Sequence, residues 1–206
     1  MQGIPLNERK RLGALLDDRP QTEVMAMIPQ FSQAETDNFV APPAQIPEAL
    51  GVLMFNMERG VNLPEIQEFL RDCPDIQPFD VILANELDDG CARSGNKNTA
   101  RELAQAFGLN YAWGLEFIEL VNDENAKGFH GNAVFSRWPI RRAGVIRLPE
   151  QYNWYFDRQK RIGGRLAVFA ELDVGGQPVG AVSIHLENRT HGEGRKAQMA
   201  AILGRN

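Results

Sequence analysis

Two short apolar runs, with an amphipathic segment between them, most constrain what this chain can fold into. Residues 51–55 and 79–84 form the runs, and residues 63–72 carry apolar side chains at helical spacing. Runs of this length are typical of buried strands. A second amphipathic segment, 97–107, precedes a further apolar run at 111–118. This order predicts parallel strands joined by right-handed crossover helices.

The second half of the chain has a different pattern. Residues 132–136, 166–174 and 179–186 are strand-like, and the pair Gly175-Gly176 between the last two predicts a tight hairpin. Residues 192–203 are predicted as a final helix. We therefore expect an α/β (α+β) protein that contains both parallel and antiparallel strands.

Residues 1–48 differ from the rest and predict a domain boundary. Residues 7–18 could form a short helix, but three prolines within 42–47 remove backbone donors and fix φ. We expect 1–48 to be an N-terminal extension with a Pro-rich linker, and 49–206 to form the main domain. A flexible arm is the preferred interpretation of the extension, with a structured subdomain as the alternative.

Composition narrows the class of protein. The 206 residues carry a net charge of −5, with 43% hydrophobic and 24% charged residues, as in ordinary globular proteins. The acidic balance argues against holding nucleic acid through bulk charge. No apolar run approaches the ~18 residues of a membrane span. Because the start has no secretory signal and only Cys73 and Cys91 are present, we expect a reducing, cytoplasmic setting.

Polar residues directly follow the first two predicted strands. Asn56 comes after the run 51–55, and Glu86 comes after 79–84 and Asn85. Neighbouring parallel strands end at the same edge of a sheet, where α/β proteins tend to bind ligands. A carboxylate and an amide oxygen suit Mg²⁺. The alternative is that both are ordinary polar residues at strand ends.

The segment after the last strand offers phosphate-binding groups. His185 ends an apolar run and can bind or protonate a phosphate oxygen. Asn188 and Arg189 could hold phosphate oxygens, the arginine through two hydrogen bonds. By contrast, Asp88 and Asp89 are interpreted as solvated loop charges, and His130 as a loop residue.

Basic and aromatic residues interleave between 137 and 165. Such a composition is typical of a surface that binds a phosphate backbone or stacks on bases. It is equally typical of a long loop anchored by its aromatic side chains, and both interpretations stay open here.

Taken in order, these segments resemble the endonuclease/exonuclease/phosphatase superfamily. The matching segments are 54–60, 81–88, 131–137 and 183–188, followed by Arg195 and Gln198. The resemblance implies a four-layer αββα sandwich of two mixed β-sheets. It also implies a hydrolase of phosphoester bonds that depends on Mg²⁺ or Mn²⁺ and acts on nucleic acid, a phospholipid head group or a sugar phosphate.

The resemblance also implies roles for individual residues. Glu86 resembles the metal-binding glutamate, and Asn56 resembles the asparagine that supports the metal or the phosphate. His185 matches a catalytic histidine of the deoxyribonuclease and sphingomyelinase branches. Asn188 matches a phosphate-contacting asparagine. Arg189 is the further phosphate-binding candidate beside it.

Two motifs of the superfamily have no counterpart in the sequence. These are Gly-Asp-x-Asn and a final Asp-His pair, which serve water activation and the scissile phosphate. The chain is therefore interpreted as a domain that is incomplete at its C-terminus, and we expect residues 1–206 alone to show at most trace activity. The alternative is a non-catalytic binding or scaffolding module of the same fold.

Overall fold

The computed structural model describes residues 1–204, which contain the predicted helices and strands together with four further elements. The helices are α1 (Leu6–Ala14), α2 (Gln21–Ala26), α3 (Leu63–Asp72), α4 (Thr99–Phe107) and α5 (Gly192–Leu203). The strands are β1 (Ala34–Asp37), β2 (Val52–Arg59), β3 (Val81–Asp89), β4 (Asn110–Glu119), β5 (Phe129–Ser136), β6 (Ile140–Arg147), β7 (Arg161–Gly163), β8 (Leu166–Val174) and β9 (Gln177–Ile184). The elements that the sequence did not predict are α2, β1, β6 and β7. None of the helices in 1–204 is long and apolar enough to cross a membrane.

The strands form two sheets that pack face to face. The larger sheet has the order β1-β4-β5-β3-β2, with β7 also pairing with β4, and the smaller has the order β6-β8-β9. Residues of β4 alternate between two cores: Tyr111, Trp113 and Leu115 pack with the helices, whereas Ala112 packs with Val168 of the smaller sheet. The predicted α/β sandwich is confirmed. Only the larger sheet is mixed, because the described strands of the smaller sheet pair antiparallel.

Strand order within the larger sheet differs in part from the prediction. β2 and β3 pair in parallel across helix α3, as predicted. β4, however, does not pair with β3, since β5 lies between them and runs antiparallel to both. The segment linking β4 to β5 is short, and short connections favour antiparallel pairing. The Gly175-Gly176 hairpin between β8 and β9 has the expected positive φ at both glycines.

The first 37 residues are structured, which differs from the preferred interpretation of a flexible arm. Leu12, Val24 and Phe31 are buried in the same core as helices α3 and α4. β1 pairs antiparallel with β4, opposite residues 111–114. The following Pro-rich stretch, 41–47, contains neither helix nor strand. Apolar burial therefore ties this segment to the larger sheet.

Candidate functional site

Irregularities in three adjacent strands lie at the same end of the larger sheet. The register shifts between Asn56 and Arg59 in the β2–β3 pair, around Glu86 in the β3–β5 pair, and around Glu116 in the β4–β5 pair. Glu86 has a φ of +60°, which is rare for a residue with a side chain. Bulges re-aim side chains and are common beside active sites. The sheet thus presents Glu86 and Glu116 out of the regular ladder.

A cavity of about 440 Å³ opens beside these irregularities. Its walls are mainly polar and contain five arginines. The lining residues are Arg59, Glu86, His130, Trp154, Asp157, Arg158, Gln159, Arg161, Arg165, Asn188 and Arg189. The structure therefore gathers three of the residues predicted from sequence, Glu86, Asn188 and Arg189, around one space.

Glu86 contributes a carboxylate that no lysine or arginine holds within residues 1–204. Its backbone N–H donates to Oδ1 of Asn132 (3.1 Å), which fixes the bulge. Its side chain is 23% exposed, and Oε1 lies 3.7 Å from Nε2 of His185. His185, which is 99 positions from Glu86 in sequence, therefore lies beside this cavity residue.

The orientation of His185 is set by Arg165 and Glu116. Nη1 of Arg165 lies 2.9 Å from Nδ1 of His185, closer than Oε2 of Glu116 at 3.6 Å. A guanidinium only donates, so Nδ1 accepts this hydrogen bond. In the neutral ring the proton is then on Nε2, the nitrogen nearest Glu86. His185 can donate a hydrogen bond to an anion bound beside Glu86.

Glu116 is the residue that sequence reasoning missed. It is completely buried, accepts a hydrogen bond from Arg165 (3.2 Å), and its other oxygen lies between His185 and His130. Burial alone would raise the pKa of Glu116, but the charge of Arg165, with contributions from His185 and His130, holds that pKa at about 2. The available signal was a single charged residue inside the apolar run 111–118.

The buried ion pairs continue beyond Glu116. Nδ1 of His130 lies 2.9 Å from Oδ1 of Asp88, and Arg93 donates two hydrogen bonds to the same carboxylate. Burial opposes ionisation of Asp88, but these partners lower its pKa to about 2. The interpretation of Asp88 and Asp89 as solvated loop charges is wrong, because both are buried in β3. His130 is likewise a buried strand residue.

Glu187 anchors the turn that carries Asn188 and Arg189. Its carboxylate accepts hydrogen bonds from Nε1 of Trp154 (2.8 Å) and from the backbone N–H of Arg189 (2.9 Å). Its own N–H donates to Oε1 of Gln198 in α5 (2.9 Å). The side chains of Asn188 and Arg189 are exposed at the rim of the cavity.

Asn56 is placed differently from the other predicted site residues. It lies opposite Asn85, next to Glu86, but its Oδ1 accepts a hydrogen bond from the backbone N–H of Glu58 (2.9 Å). It is exposed and does not line the cavity. The structure thus gives Asn56 a role in the irregular end of β2, and its contact with metal or phosphate stays a prediction.

Much of the basic and aromatic stretch anchors a loop. Trp154 and Tyr155 are buried, and the guanidiniums of Arg161 and Arg165 lie over the ring of Trp154 at 5.1 and 5.4 Å. These residues anchor the loop that walls the cavity. Phe156, by contrast, is 69% exposed.

The oxygen donors around the cavity suit a metal ion held by few protein groups. Residues 1–204 contain no group of three or more His, Cys, Asp or Glu side chains arranged for a metal. Asp157 is engaged by Tyr152 (2.9 Å) and faces Arg189, which leaves Glu86 as the available carboxylate. Because Mg²⁺ keeps several waters and is often bound through one or two carboxylates and substrate phosphates, Glu86 fits such an ion.

The depressed pKa values predict acid-labile stability. Glu116 and Asp88 have ordinary pKa values of 4.5 and 3.8, and both are lowered to about 2 in the fold. Their stabilisation is present above pH 4.5 and is lost as pH falls toward 2. Urea unfolding across this range should show a loss of roughly 5 kcal/mol, about 3 from Glu116 and about 2 from Asp88. The same pH dependence in Glu116→Gln would contradict the assignment to Glu116.

Comparison with known proteins identifies the fold. No protein-family model matches the sequence, and no curated protein matches it. Among solved structures, an endonuclease/exonuclease/phosphatase family protein from Leptotrichia buccalis C-1013-b superposes with a TM-score of 0.51 at 20% identity, covering 77% of this chain. The structure of SmcL superposes with a TM-score of 0.46 at 14% identity, covering 77% of this chain. The described part of this chain therefore shares the fold of the endonuclease/exonuclease/phosphatase family protein.

The chain matches only part of these two proteins. It spans 63% of the Leptotrichia buccalis protein and 57% of SmcL, in each case less than two thirds of the other chain.

Proposed function

We propose that this chain is a divalent-metal-dependent hydrolase of phosphoester bonds, with the metal, Mg²⁺ or Mn²⁺, held at Glu86. The observation that carries the proposal is the unheld carboxylate of Glu86, 3.7 Å from His185, in a cavity walled by arginines. A divalent ion bound there would polarise a phosphoryl oxygen and stabilise the charge of the transition state. The substrate would be nucleic acid, a phospholipid head group or a sugar phosphate.

In this proposal the protein's own groups bind and orient the phosphate. Asn188 and Arg189, at the cavity rim, would donate hydrogen bonds to its oxygens. His185 would donate from Nε2, because Arg165 occupies Nδ1. Asn56, near the end of β2, would support the metal or the phosphate. Such preorganised donors stabilise developing negative charge without reorganising during the reaction.

We further propose that turnover by residues 1–206 is at a trace level. Hydrolysis needs a group that activates water, and each histidine near Glu86 has its ring nitrogens engaged or facing carboxylates. The alternative function, a non-catalytic phosphate-binding or scaffolding module, is favoured by the lack of a three-ligand metal group within 1–204. The cysteines Cys73 and Cys91 are free, which supports the proposed cytoplasmic setting.

The substitution Glu86→Gln tests the proposal. It removes one charge and keeps the shape, so Mn²⁺ affinity measured by calorimetry should fall about tenfold or more, with little change in melting temperature. The trace hydrolysis of bis(p-nitrophenyl) phosphate should disappear in the variant and in EDTA. Glu171→Gln, on β8 and away from the cavity, is the matched control. Unchanged Mn²⁺ affinity and EDTA-resistant hydrolysis would overturn the proposal.

A further inference from the structure

The five arginines that line the cavity are not equivalent. Arg161 and Arg165 are held by buried carboxylates, at 3.0 Å from Glu119 and 3.2 Å from Glu116 respectively. Arg189 faces Asp157 at 3.7 Å and belongs to the turn already described. The charges of these three side chains are at least partly compensated by the protein.

Arg59 and Arg158 have no such compensation. Neither guanidinium forms a hydrogen bond or an ion pair with any group in the part of the chain that the structure describes, although both line the cavity. Nε of Arg59 is also buried without a hydrogen-bond partner. Arg59 is partly buried, whereas Arg158 is exposed. A partly buried charge without a partner is unfavourable, and an anion in the cavity would relieve this at Arg59.

The backbone at Arg59 is strained. Glu58, Arg59 and Gly60 all have positive φ, +46°, +68° and +68°, and only the glycine adopts this conformation without steric cost. The hydrogen bond from the N–H of Glu58 to Asn56 supports the turn. Because Arg59 pairs with Leu87, it lies beside Glu86, the other strained residue of this edge. Strained residues cluster at ligand-binding sites.

We infer that Arg59, together with Arg158, forms an anion subsite that binds a second phosphate group of the substrate. The inference rests on the proposed function of the cavity as a phosphoester site. Two free guanidiniums match the charge of a phosphate monoester, which carries about −1.5 to −2 at neutral pH. Guanidinium groups bind phosphate through paired hydrogen bonds. A compound with two phosphate groups would therefore occupy both Glu86's side of the cavity and the subsite.

Calorimetric titration of the metal-free chain tests the subsite. The probes are inorganic phosphate, a hexose bisphosphate and a nucleoside bisphosphate. The wild-type chain should bind at least one bisphosphate about tenfold more tightly than inorganic phosphate. Stronger binding of the hexose compound indicates that the second phosphate group belongs to a sugar phosphate. Stronger binding of the nucleoside compound indicates that it belongs to a nucleotide.

Two variants and a control separate binding from folding. Arg59→Gln should reduce the bisphosphate preference to about threefold or less and leave the affinity for inorganic phosphate within about threefold. Arg59→Gly should lose the preference equally, while its melting temperature is no lower than that of the wild type, because glycine relieves the strain at φ +68°. Arg142→Gln, an exposed arginine paired with Glu171 on the smaller sheet, should retain the preference.

Two results would overturn the inference. They are equal affinity of the wild-type chain for bisphosphates and inorganic phosphate, and an unchanged preference in both Arg59 variants. The titrations need neither metal nor turnover. Hydrolysis that persists in EDTA or in Glu86→Gln would therefore contradict the proposed function without affecting this result.

Discussion

Replacing Gly131 with alanine is expected to lower the free energy of unfolding by about 4 kcal/mol. Gly131 lies in the middle of β5, between β3 and β4, and an added Cβ would overlap the carbonyl oxygen of Gly114 and approach the ring of Trp113 within 2.8 Å. The carbonyl belongs to the backbone of β4, so it can move only if the strands separate. Urea unfolding monitored by circular dichroism measures the loss.

Gly144→Ala provides the matched control. Gly144 is also a strand glycine, in β6, but an added Cβ would contact nothing within 4 Å. We expect its free energy of unfolding to change by less than about 1 kcal/mol, because alanine meets no neighbouring atom and also restricts the unfolded chain. Equal stability of the two variants would show that the close approach of β4 and β5 does not require glycine at position 131.

Glu116→Gln is expected to lower the free energy of unfolding by about 3 kcal/mol. The substitution keeps the shape of the side chain but removes its negative charge. Arg165, His185 and His130 all face this carboxylate. A buried guanidinium then loses part of its compensation, since Glu187 alone remains beside it. The melting temperature should fall by roughly 6–12 °C for a chain of this size.

The control for Glu116→Gln is Glu171→Gln, which breaks a surface pair. Glu171 binds Arg142, whose side chain is 71% exposed, and exposed pairs contribute only about 0–1 kcal/mol. Comparable losses in the two variants would mean that burial at Glu116 has no special effect. Orientation of His185 gives a second measurement, because its ring proton should shift in the NMR spectrum of Glu116→Gln and not in that of Glu171→Gln.

The sequence predicted the local elements of the fold better than their arrangement. Helix α3 has the predicted bounds, and Gly108 follows α4 in the left-handed conformation expected of a helix-ending glycine. These features depend on neighbouring residues. The insertion of β5 and the pairing of β1 with β4 depend on contacts between distant segments. β1 itself has only four residues, Ala34–Asp37, without an apolar run to indicate a strand.

The sequence predicted the site residues that directly follow a strand or an apolar run. It missed the site residue that is buried within a strand. Glu86 follows an apolar run, and His185 directly follows β9, so both are visible in the sequence. Glu116 lies within a strand and takes part in the site because Arg165 and His185 approach it from the smaller sheet. Arg59 depends on a backbone conformation that the sequence indicates only through the following Gly60.

The position of β1 at the edge of the larger sheet has a consequence for synthesis on the ribosome. β1 must wait for β4, about 70 residues later in the chain, before it has a strand to pair with. At roughly 5–20 residues per second, this delay lasts about 4–15 seconds. During that time the apolar side chains of α1 and α2 have no sheet to cover them. The nascent chain is therefore expected to bind chaperones through its first 37 residues, and to release them once β4 has emerged.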